Sequence, residues 1–517
     1  MGLWQKALNM IGLGGRRNEG GGIDFANIPG AFRGTSGGTF WDWIVSPTTI
    51  DYQLRTNIYR LRIAARDMAL NNPVVRQYLE LLAQNVIGAQ GMKIQGMVRD
   101  NSGKLNAVIN EKIEDAWCEF WKSPFVDGKL SGIHGERVLL KAVSRDGEIF
   151  VRMITDRGLG NKWAFGLQVI DPDQVDHTFN RAASGTENEV RLGIEVDQWG
   201  RAVGIWIWDN VAQDVNPGMD RTRTRIPASE ILHIYDPERA NASRGVTWLN
   251  SVMQQLRHLD GYAEAAVVAA RTAACAFPIF EQAEGLEADP GVTNFQLDLN
   301  PGTGMSLPAG LKVSNWNPNQ PNTGYSDFIK SALRFFASGM HVSYNALSSD
   351  LENVNYSSIR AGILIERDHY RVLQRWWMDA FRQPIYEAWL RAALLNGALT
   401  LDSRDPRKFC SVRWIPRGWQ WVDPLKDVNA AVIAVQNGFD SRSRIIAERG
   451  DEFEDILEEL SDERDQAESA GLDFSGAPIT AKDVASLTKD EEAQTEEEKT
   501  ADQKKAANLI KMHREAA

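Results

Sequence analysis

The sequence predicts an α+β fold that is mainly helical and includes one domain of antiparallel strands. Apolar residues recur at three- and four-residue spacing in residues 325–341 and 356–397, which is the period of a helix with one buried face. Between residues 144 and 235 the period changes to two, and Gly, Pro and Asp separate the apolar runs. The length of 517 residues predicts two to four structural units.

Residues 1–45 are predicted to form a flexible arm. The first 40 residues hold eleven of the 43 glycines and show no lasting period. Residues 34–38, "GTSGG", match the G-x-S-x-G string of a nucleophile elbow, but no strand precedes them and no helix follows. We therefore attribute this match to chance.

Residues 46–245 are predicted to hold helices followed by antiparallel strands. Helices are expected over residues 49–71, up to the Asn72-Pro73 step, then up to Gly88, and over residues 106–122. Strands are expected within residues 147–155, 164–170, 190–208 and 230–236, with a hairpin turn over residues 197–200.

Residues 246–275 predict one long helix, which would reach about 45 Å. Apolar or small residues alternate three and four apart along it, as in a heptad seam. A buried helix of one subunit and a helix that packs in a ring both fit this spacing. The seam residues are Leu249, Val252, Leu256, Leu259, Ala263, Ala266, Ala270 and Ala273.

Residues 276–357 predict a strand-and-turn segment, a helix and a polar loop. Residues 276–324 read as short strands and turns rich in Pro, Gly and Asn. Residues 325–341 predict a helix that Ser326 caps and that stops near Gly339. Residues 342–357 are too polar for a core, and long loops of this kind are commonly functional. An exposed connection without a special role is the alternative.

Residues 358–423 predict a long kinked helix and then returning strands. Ser357 or Ser358 can cap the helix, and Pro384 should kink it. One apolar stripe runs along it and consists of Tyr370, Leu373, Trp377, Phe381, Ile385 and Trp389.

Residues 424–472 predict further helices, one of them capped by Asp440 or Ser441 and ended by Gly450. Residues 473–517 have no aromatic residue after Phe474 and are highly charged, which predicts a disordered or solvated tail.

Composition argues against several classes of function. The formal charge of −12, from 57 basic and 69 acidic residues, argues against a protein that grips nucleic acid through many phosphates. The chain has no GxxxxGK[ST] phosphate loop, which argues against an ATP-driven motor. The most apolar window includes Glu264, Arg271 and Pro278, so we expect no membrane span.

We expect no cofactor and no metal site. The cysteines Cys118, Cys275 and Cys410 lie far apart, and the seven histidines form no HExxH pair. The group Asp171, Asp173, Asp176 and His177 could be a metal or acid/base site of a hydrolase, but beside Pro172 it more simply marks a turn that ends a strand.

Three segments resemble the lambda-type family of phage portal proteins. They are "RDMALNNPVVRQYLELLAQNVIGAQGMKIQ", "NALSSDLENVNYSSIRAG" and "DPLKDVNAAVIAVQNGFDSRSRIIAERG", and they occur in family order. The resemblance implies a mainly helical portal fold. Its parts would be a wing with a β domain (46–245), stem helices (246–275 and 325–341), a small α/β clip (276–324), a tunnel loop (342–357), a long kinked helix with strands that return to the wing (358–423) and a helical C-terminal crown (424–472).

The resemblance also implies the function. It implies a non-enzymatic ring of twelve copies at one capsid vertex, through which double-stranded DNA is packaged and ejected. The implied partners are the terminase large subunit, a head-tail connector protein, the major capsid protein and the scaffold. The implied location is the virion, and the host cytoplasm during assembly. A connector or a minor capsid protein is the main alternative, and the hydrolase is a weaker one.

In a portal, the polar loop would face DNA. Its hydroxyl, amide and carboxylate groups offer hydrogen bonds but no cation, so contacts with phosphate would be weak and easily exchanged. Tyr344, Tyr356 and Arg360 are expected to anchor the loop. The residues expected to line the DNA tunnel are Ser348, Ser349, Asp350, Leu351, Glu352, Asn353 and Asn355.

Overall fold

The chain forms helices and antiparallel sheets, so the predicted mixed class of helix and sheet is confirmed. The computed structural model describes residues 48–100, 102–185, 187–209, 222–274, 278–282, 311–315, 324–352, 356–403, 405–419 and 424–469. The predicted arm and tail lie outside these ranges. In the part of the chain that the structure describes, no helix combines the length and the apolar character that a membrane span requires.

The elements follow one another in this order along the chain. The helices are α1 Ile50–Asn71, α2 Pro73–Leu82, α3 Ala107–Trp121, α4 Gly132–Asp146, α5 Met253–Ala274, α6 Tyr325–Gly339, α7 Tyr344–Ser348, α8 Tyr356–Trp377, α9 Gln383–Asn396, α10 Pro424–Gln436, α11 Arg442–Glu448 and α12 Phe453–Ser469. The strands are β1 Lys93–Gly96, β2 Glu148–Thr155, β3 Phe165–Ile170, β4 Glu189–Arg191, β5 Ile194–Val196, β6 Ala202–Trp208, β7 Arg223–Pro227, β8 Ile231–Tyr235, β9 Pro278–Gln282, β10 Leu311–Asn315 and β11 Val412–Ile415.

The chain divides into two units, which are residues 1–86 with 117–406 and residues 87–116 with 407–517. In the first unit, α1 ends and α2 begins at the predicted step. Asn72 adopts an extended backbone ahead of the proline, and its side-chain oxygen caps α2 by accepting a hydrogen bond from the Val74 amide at 2.9 Å.

The sequence does not predict helix α4. Glycine weakens a helical pattern, and Gly135 lies in the first turn of this helix. A Cβ at Gly135 would overlap the ring of Phe125. Glycine therefore lets α4 approach a buried aromatic side chain. Because glycine also has a low helix propensity, the sequence does not predict this helix.

Two antiparallel sheets of the first unit share one apolar core. Strand β2 pairs with β3 and with β8, while β4, β5, β6 and β7 form a second sheet in chain order. The turn over residues 197–200 forms as predicted, because Asp197 accepts hydrogen bonds from the amides of Trp199 and Arg201 at 2.9 and 2.8 Å. The shared core consists of Phe150, Ile170, Val175, Ile194, Val196, Ile205, Ile207, Ile226 and Ile231.

Strand β7 is missing from the sequence prediction. Only one of its five residues, Ile226, is buried, and the others are exposed. An edge strand of this kind shows little alternation of apolar and polar residues, so its sequence does not reveal it.

One predicted helix start and two predicted helix caps are wrong. Helix α5 begins at Met253 rather than at residue 246, because Thr247 caps a 3₁₀ turn by accepting a hydrogen bond from the Leu249 amide at 3.2 Å. Helix α6 already includes Tyr325, so Ser326 lies inside it and Gly324 precedes it. Helix α8 begins at Tyr356, so neither Ser357 nor Ser358 is its cap.

A π-helical turn over Met378–Arg382 joins α8 to α9 where the sequence predicts a kink. The six residues of the predicted stripe are all buried. Trp389 comes nineteen positions after Tyr370. In a regular helix of 3.6 residues per turn, this spacing would turn Trp389 about 100° away from Tyr370. One extra residue in the π-helical turn removes this offset. Pro384, which has no amide to donate, lies just after the turn.

A buried carboxylate, Glu148 at the start of β2, joins helices to strands in the first unit. It accepts hydrogen bonds from Arg62 of α1 at 2.8 Å and from Arg244 Nε at 2.8 Å. His233 Nε2 of β8 lies 2.8 Å from its second oxygen. Burial opposes ionisation of Glu148, but Arg244, His233 and Arg62 outweigh it and hold the pKa of this carboxyl well below its usual range.

The second unit pairs β1 with β11 in an antiparallel ladder and includes α10, α11 and α12. Ser441 caps α11 by accepting a hydrogen bond from the Arg444 amide at 3.2 Å, which is one of the two predicted caps. Gly450 follows α11 with φ of +90°, as expected for a residue that ends a helix.

Acidic side chains crowd around Glu452 in this unit. Burial, together with the nearby carboxylates of Glu114, Asp455 and Glu454, raises the pKa of Glu452 to about 7. Lys93 is the cation of the group, with its Nζ 3.8 Å from Asp451 and 3.6 Å from Asp455. Glu452 is therefore partly protonated at neutral pH.

Replacing Glu148 by Gln is expected to lower the free energy of unfolding by about 3 kcal/mol, because Arg62 and Arg244 would stay buried without their shared anion. Urea denaturation at pH 7 measures this loss. The control is Glu230→Gln, which removes a more exposed carboxylate that pairs with Arg152 at 3.1 Å and should cost less than 1 kcal/mol. Equal losses in the two variants would contradict the assigned role of Glu148.

The second prediction concerns pH. The pKa of Glu452 in the folded chain is about 7, against an ordinary 4.5. The folded state therefore binds more protons between these values, and the stability that Glu452 contributes is full below pH 4.5 and is lost as pH rises through 7. In Glu452→Gln, amides of β1 and β11 should exchange roughly tenfold more slowly than wild type at pH 8 and equally at pH 4.5. Glu459→Gln on the exposed side of α12 should change neither rate.

Candidate nucleic-acid interface

The residues predicted to face DNA lie between α6 and α8, and their segment begins with a helical turn rather than a loop. Ser343 caps the short helix α7 by accepting a hydrogen bond from the Ala346 amide at 3.3 Å. Ser349 ends α7 with φ of +55°, a left-handed conformation. The predicted loop therefore begins after Ser348, and Asn353 and Asn355 lie outside the described residues.

Hydrogen bonds inside the segment hold the chain that follows α7. The Tyr344 hydroxyl donates to Asp350 Oδ2 at 2.7 Å, and the Ser348 hydroxyl donates to the Tyr344 carbonyl at 2.7 Å. Asp350 Oδ1 in turn accepts from the Glu352 amide at 2.9 Å. These contacts leave the side chain of Leu351 70% exposed, so an apolar group is accessible on the surface of the segment.

A lysine of α6 neutralises part of this segment. Lys330 Nζ lies 2.8 Å from Glu352 Oε2 and 3.7 Å from Asp350 Oδ2. The hydrogen bond to Glu352 and the charge of Asp350 raise the pKa of Lys330, while the hydrogen bond from Tyr344 contributes most to lowering the pKa of Asp350. The sequence of the loop does not reveal this cation, because Lys330 comes 22 residues before Glu352 and on another element.

The predicted anchor residues have different surroundings. The Tyr344 ring faces the guanidinium of Arg334, whose Cζ lies 5.3 Å from the ring centroid. Gln77 of α2 donates to the Ala346 carbonyl at 3.3 Å and ties α7 to the rest of the unit. Arg360 lies half-buried on α8. Tyr356 is the first residue of α8, and its side chain is not among the described ones.

The predicted heptad seam divides into two parts. Leu249, Val252 and Leu256 are fully buried within their own chain, and the first two precede α5. Further along α5, Leu259, Ala263 and Ala266 are only half-buried, and Ala270 is exposed. The first part of the seam thus belongs to the core of one subunit, which is the interpretation of a buried helix. The second part is accessible at the surface of the chain.

Large apolar side chains are exposed on several helices of the first unit, among them α1, α4 and α9. On α5, α6 and α8 the exposed side chains are Tyr262, Val267, Val268, Phe328, Phe335, Leu364, Ile365 and Val372. Helices α5 and α6 contact each other through aromatic rings, with centroids of Tyr262 and Phe328 4.8 Å apart. Exposed apolar side chains that together form a patch are typical of a protein-protein interface.

The aspartates considered for a hydrolase are held by arginines. Arg66 donates to Asp171 at 2.9 Å and to Asp173 at 2.7 Å. Asp171 also accepts from the Asp173 amide and begins the 3₁₀ turn Pro172–Gln174. This is the strand-ending turn that the sequence favours, and ion-paired carboxylates of this kind are poor general bases.

Asp176 and His177, the other two residues considered for a hydrolase, also have partners within the protein. Asp176 accepts from the Thr178 amide at 3.0 Å, and His177 stacks on Tyr59 with ring centroids 5.9 Å apart. Burial lowers the pKa of His177. Among the described residues, no three His, Cys, Asp or Glu side chains are grouped so that they could hold a metal ion.

Comparison with known proteins places these features in a family. The family model described as phage portal protein, lambda family, matches residues 36–374. The chain is 30% identical over 446 residues to a probable portal protein of Halomonas phage phiHAP-1, covering 84% of this chain and 85% of the relative. It is 24% identical over 486 residues to portal protein B of Escherichia phage lambda, covering 84% and 89%.

The similarity to solved structures is lower. A chain from the neck of a native GTA particle computed with C12 symmetry is 13% identical, with a TM-score of 0.39, over 77% of this chain and 93% of that chain. A TM-score at this level adds nothing to the sequence matches.

Replacing Lys330 by Gln is expected to loosen the segment after α7, because Glu352 and Asp350 lose their cation. Amides of residues 350–352 should exchange a few-fold faster at low salt, and the difference should shrink at high salt. Hydrogen exchange with mass spectrometry measures this. The control, Lys162→Gln, breaks an exposed ion pair with Glu119 and should leave residues 350–352 unchanged. No change in Lys330→Gln would show that Lys330 does not hold the segment.

Proposed function

Because this chain belongs to the lambda family of phage portal proteins, we propose that twelve copies form a ring at one capsid vertex through which double-stranded DNA is packaged and ejected. The observation that carries the proposal is the match of the family model to residues 36–374. Membership of this family favours a portal over the connector, minor capsid and hydrolase alternatives. The proposed partners are the terminase large subunit, a head-tail connector protein, the major capsid protein and the scaffold.

The exposed apolar side chains support assembly into a ring. A closed ring needs two different surfaces on each copy, one for each neighbour. Val267, Phe335 and Ile365 provide apolar surface on three separate helices, each more than half exposed in the single chain. Burial of these side chains against neighbouring copies would contribute favourably to association.

We assign the parts of a portal to this chain as follows. The wing comprises residues 46–245, the stem residues 246–275 and 325–341, the clip residues 276–324, and the tunnel loop residues 342–357. The long helix with its returning strands comprises residues 358–423, and the crown residues 424–472. The antiparallel pair β9 and β10 supports a clip built on a small sheet.

The segment after α7 would present DNA with hydroxyls, carboxylates and one apolar side chain. Lys330 is already engaged with Glu352 and Arg334 with the ring of Tyr344, so both of these cations have partners within the protein. A surface of this kind lowers the number of ion pairs that DNA must break at each step, because affinity grows with the number of phosphates that are neutralised. The proposed role of the segment is to centre a moving duplex without holding it.

The test is native mass spectrometry of the purified chain together with negative-stain imaging. Twelve copies of a 57.7 kDa chain give a ring of about 690 kDa, with a central hole wide enough for a duplex. Ile365→Glu combined with Val372→Glu should abolish the ring and leave a folded monomer, because both side chains are exposed in the single chain and would meet a neighbour. A wild-type chain that stays monomeric or dimeric at several salt concentrations would contradict the proposal.

The matched control combines Leu395→Glu on α9 with Leu70→Glu on α1, where the two leucines are 74% and 80% exposed. It introduces the same two negative charges outside the three helices that carry the proposed interface. This variant should form rings like wild type. Loss of rings in the control as well would show that any added charge prevents assembly, and the double variant would then not identify the interface.

A further inference from the structure

A cavity of about 820 Å³ opens in the first unit among residues that the proposed function does not use. Its wall comes from the start of α1, from β4 with the chain before it, and from residues 239–241. The charged groups of this wall are Arg55, Arg181, Arg191, Arg239, Asp51 and Glu189. Four guanidinium groups therefore share the cavity with two carboxylates.

Both carboxylates are engaged within the wall. Asp51 accepts hydrogen bonds from the amide and hydroxyl of Ser243 at 2.8 and 2.6 Å. Glu189 pairs with Arg191 at 2.7 Å. Arg181 Nη1 lies 3.4 Å from Glu187, which is outside the wall. The anionic groups of the cavity are thus already used by the protein itself.

Positive charge remains in excess. Arg55 and Arg239 are exposed, and neither forms an ion pair with any residue that the structure describes. The Nε atom of Arg181 is buried and has no acceptor in the described part of the chain. Helix α1, which begins at Ile50 in the wall, adds the positive end of its dipole. The cavity therefore favours an anionic ligand.

The size of the cavity favours an acidic protein segment over duplex DNA as the anionic partner. A duplex is a wide convex rod with its phosphates on the outside, whereas a cavity of this volume has the size of sites that enclose small ligands and side chains. Arginine binds carboxylates through two parallel hydrogen bonds. Tyr52, which is 52% exposed in the wall, offers an aromatic face beside these cations.

We propose that this cavity binds an acidic peptide segment of a partner protein, with one carboxylate on Arg55 and another on Arg239. This inference goes beyond the passage of DNA and does not depend on it, since a docking cavity serves any assembly that this chain joins. Arg181 and the N-terminus of α1 would add to the positive potential around the bound segment.

The experiment uses the full chain and a fluorescein-labelled peptide of ten residues in which Glu and Ala alternate. Fluorescence anisotropy measures its binding at 0.1 M salt. The variant Arg55→Gln with Arg239→Gln should weaken binding roughly tenfold or more. The control, Arg157→Gln with Arg201→Gln, changes two exposed arginines outside the cavity and makes the same change in net charge, so it should weaken binding less than twofold.

Three outcomes would overturn the proposal. One is equal loss of binding in the two double variants, because the effect would then come from net charge alone. Another is equal binding of a peptide with Gln in place of Glu. The last is a labelled 20-base-pair duplex that binds more tightly than the peptide and is lost in Arg55→Gln with Arg239→Gln, which would assign the cavity to nucleic acid. If the double variant fails to fold by circular dichroism, Arg239→Gln alone replaces it with the same expected direction.

Discussion

The first unit depends on the buried ion pairs that Glu148 forms with Arg62 and Arg244. A carboxylate without solvent costs several kcal/mol unless cations compensate it, and here Arg62 and Arg244 do so from different parts of the chain. Arg244 also donates to the carbonyls of Leu192 and Pro172 at 2.7 and 3.2 Å. One ionised group therefore fixes a helix, the central strand and the connections around both sheets, and each of these elements loses its partner if the charge is removed.

A second buried ion pair repeats this arrangement at the long helix. Arg382 donates two hydrogen bonds of 2.6 Å to Glu136 of α4, and the Trp377 indole donates to the same carboxylate at 3.2 Å. Trp377 and Arg382 stand on either side of the π-helical turn's centre. The polar pair thus sets the rotation of α8 and α9 against α4, while the surrounding aromatic rings supply the apolar area.

Local patterns predicted the elements whose signals lie within a few residues, such as the helix boundary at the Asn72-Pro73 step, the cap at Ser441 and the turn after Asp197. They did not predict α4, where the ring of Phe125 leaves room only for glycine at residue 135. They also did not predict β7, because four of its five residues are exposed and it shows no alternation of apolar and polar residues. In the candidate site they placed Tyr344 and Asp350 in one segment but could not find Lys330, since that pairing depends on how α6 folds back against it. The role of Glu148 was hidden for the same reason, because its partners Arg62 and Arg244 lie 86 and 96 residues away.

The π-helical turn over residues 378–382 also bears on how relatives should be aligned. Its extra residue is a length difference inside a continuous helix, where gaps are normally avoided. In a relative that lacks this residue, the buried stripe would align with the buried stripe of this chain only if the alignment contained a one-residue gap there. Without the gap, every position after the turn would be compared with a neighbour that faces about 100° away, and core positions of α9 would be matched with surface positions. The placement of this single gap therefore decides which residues of α9 count as equivalent across the family.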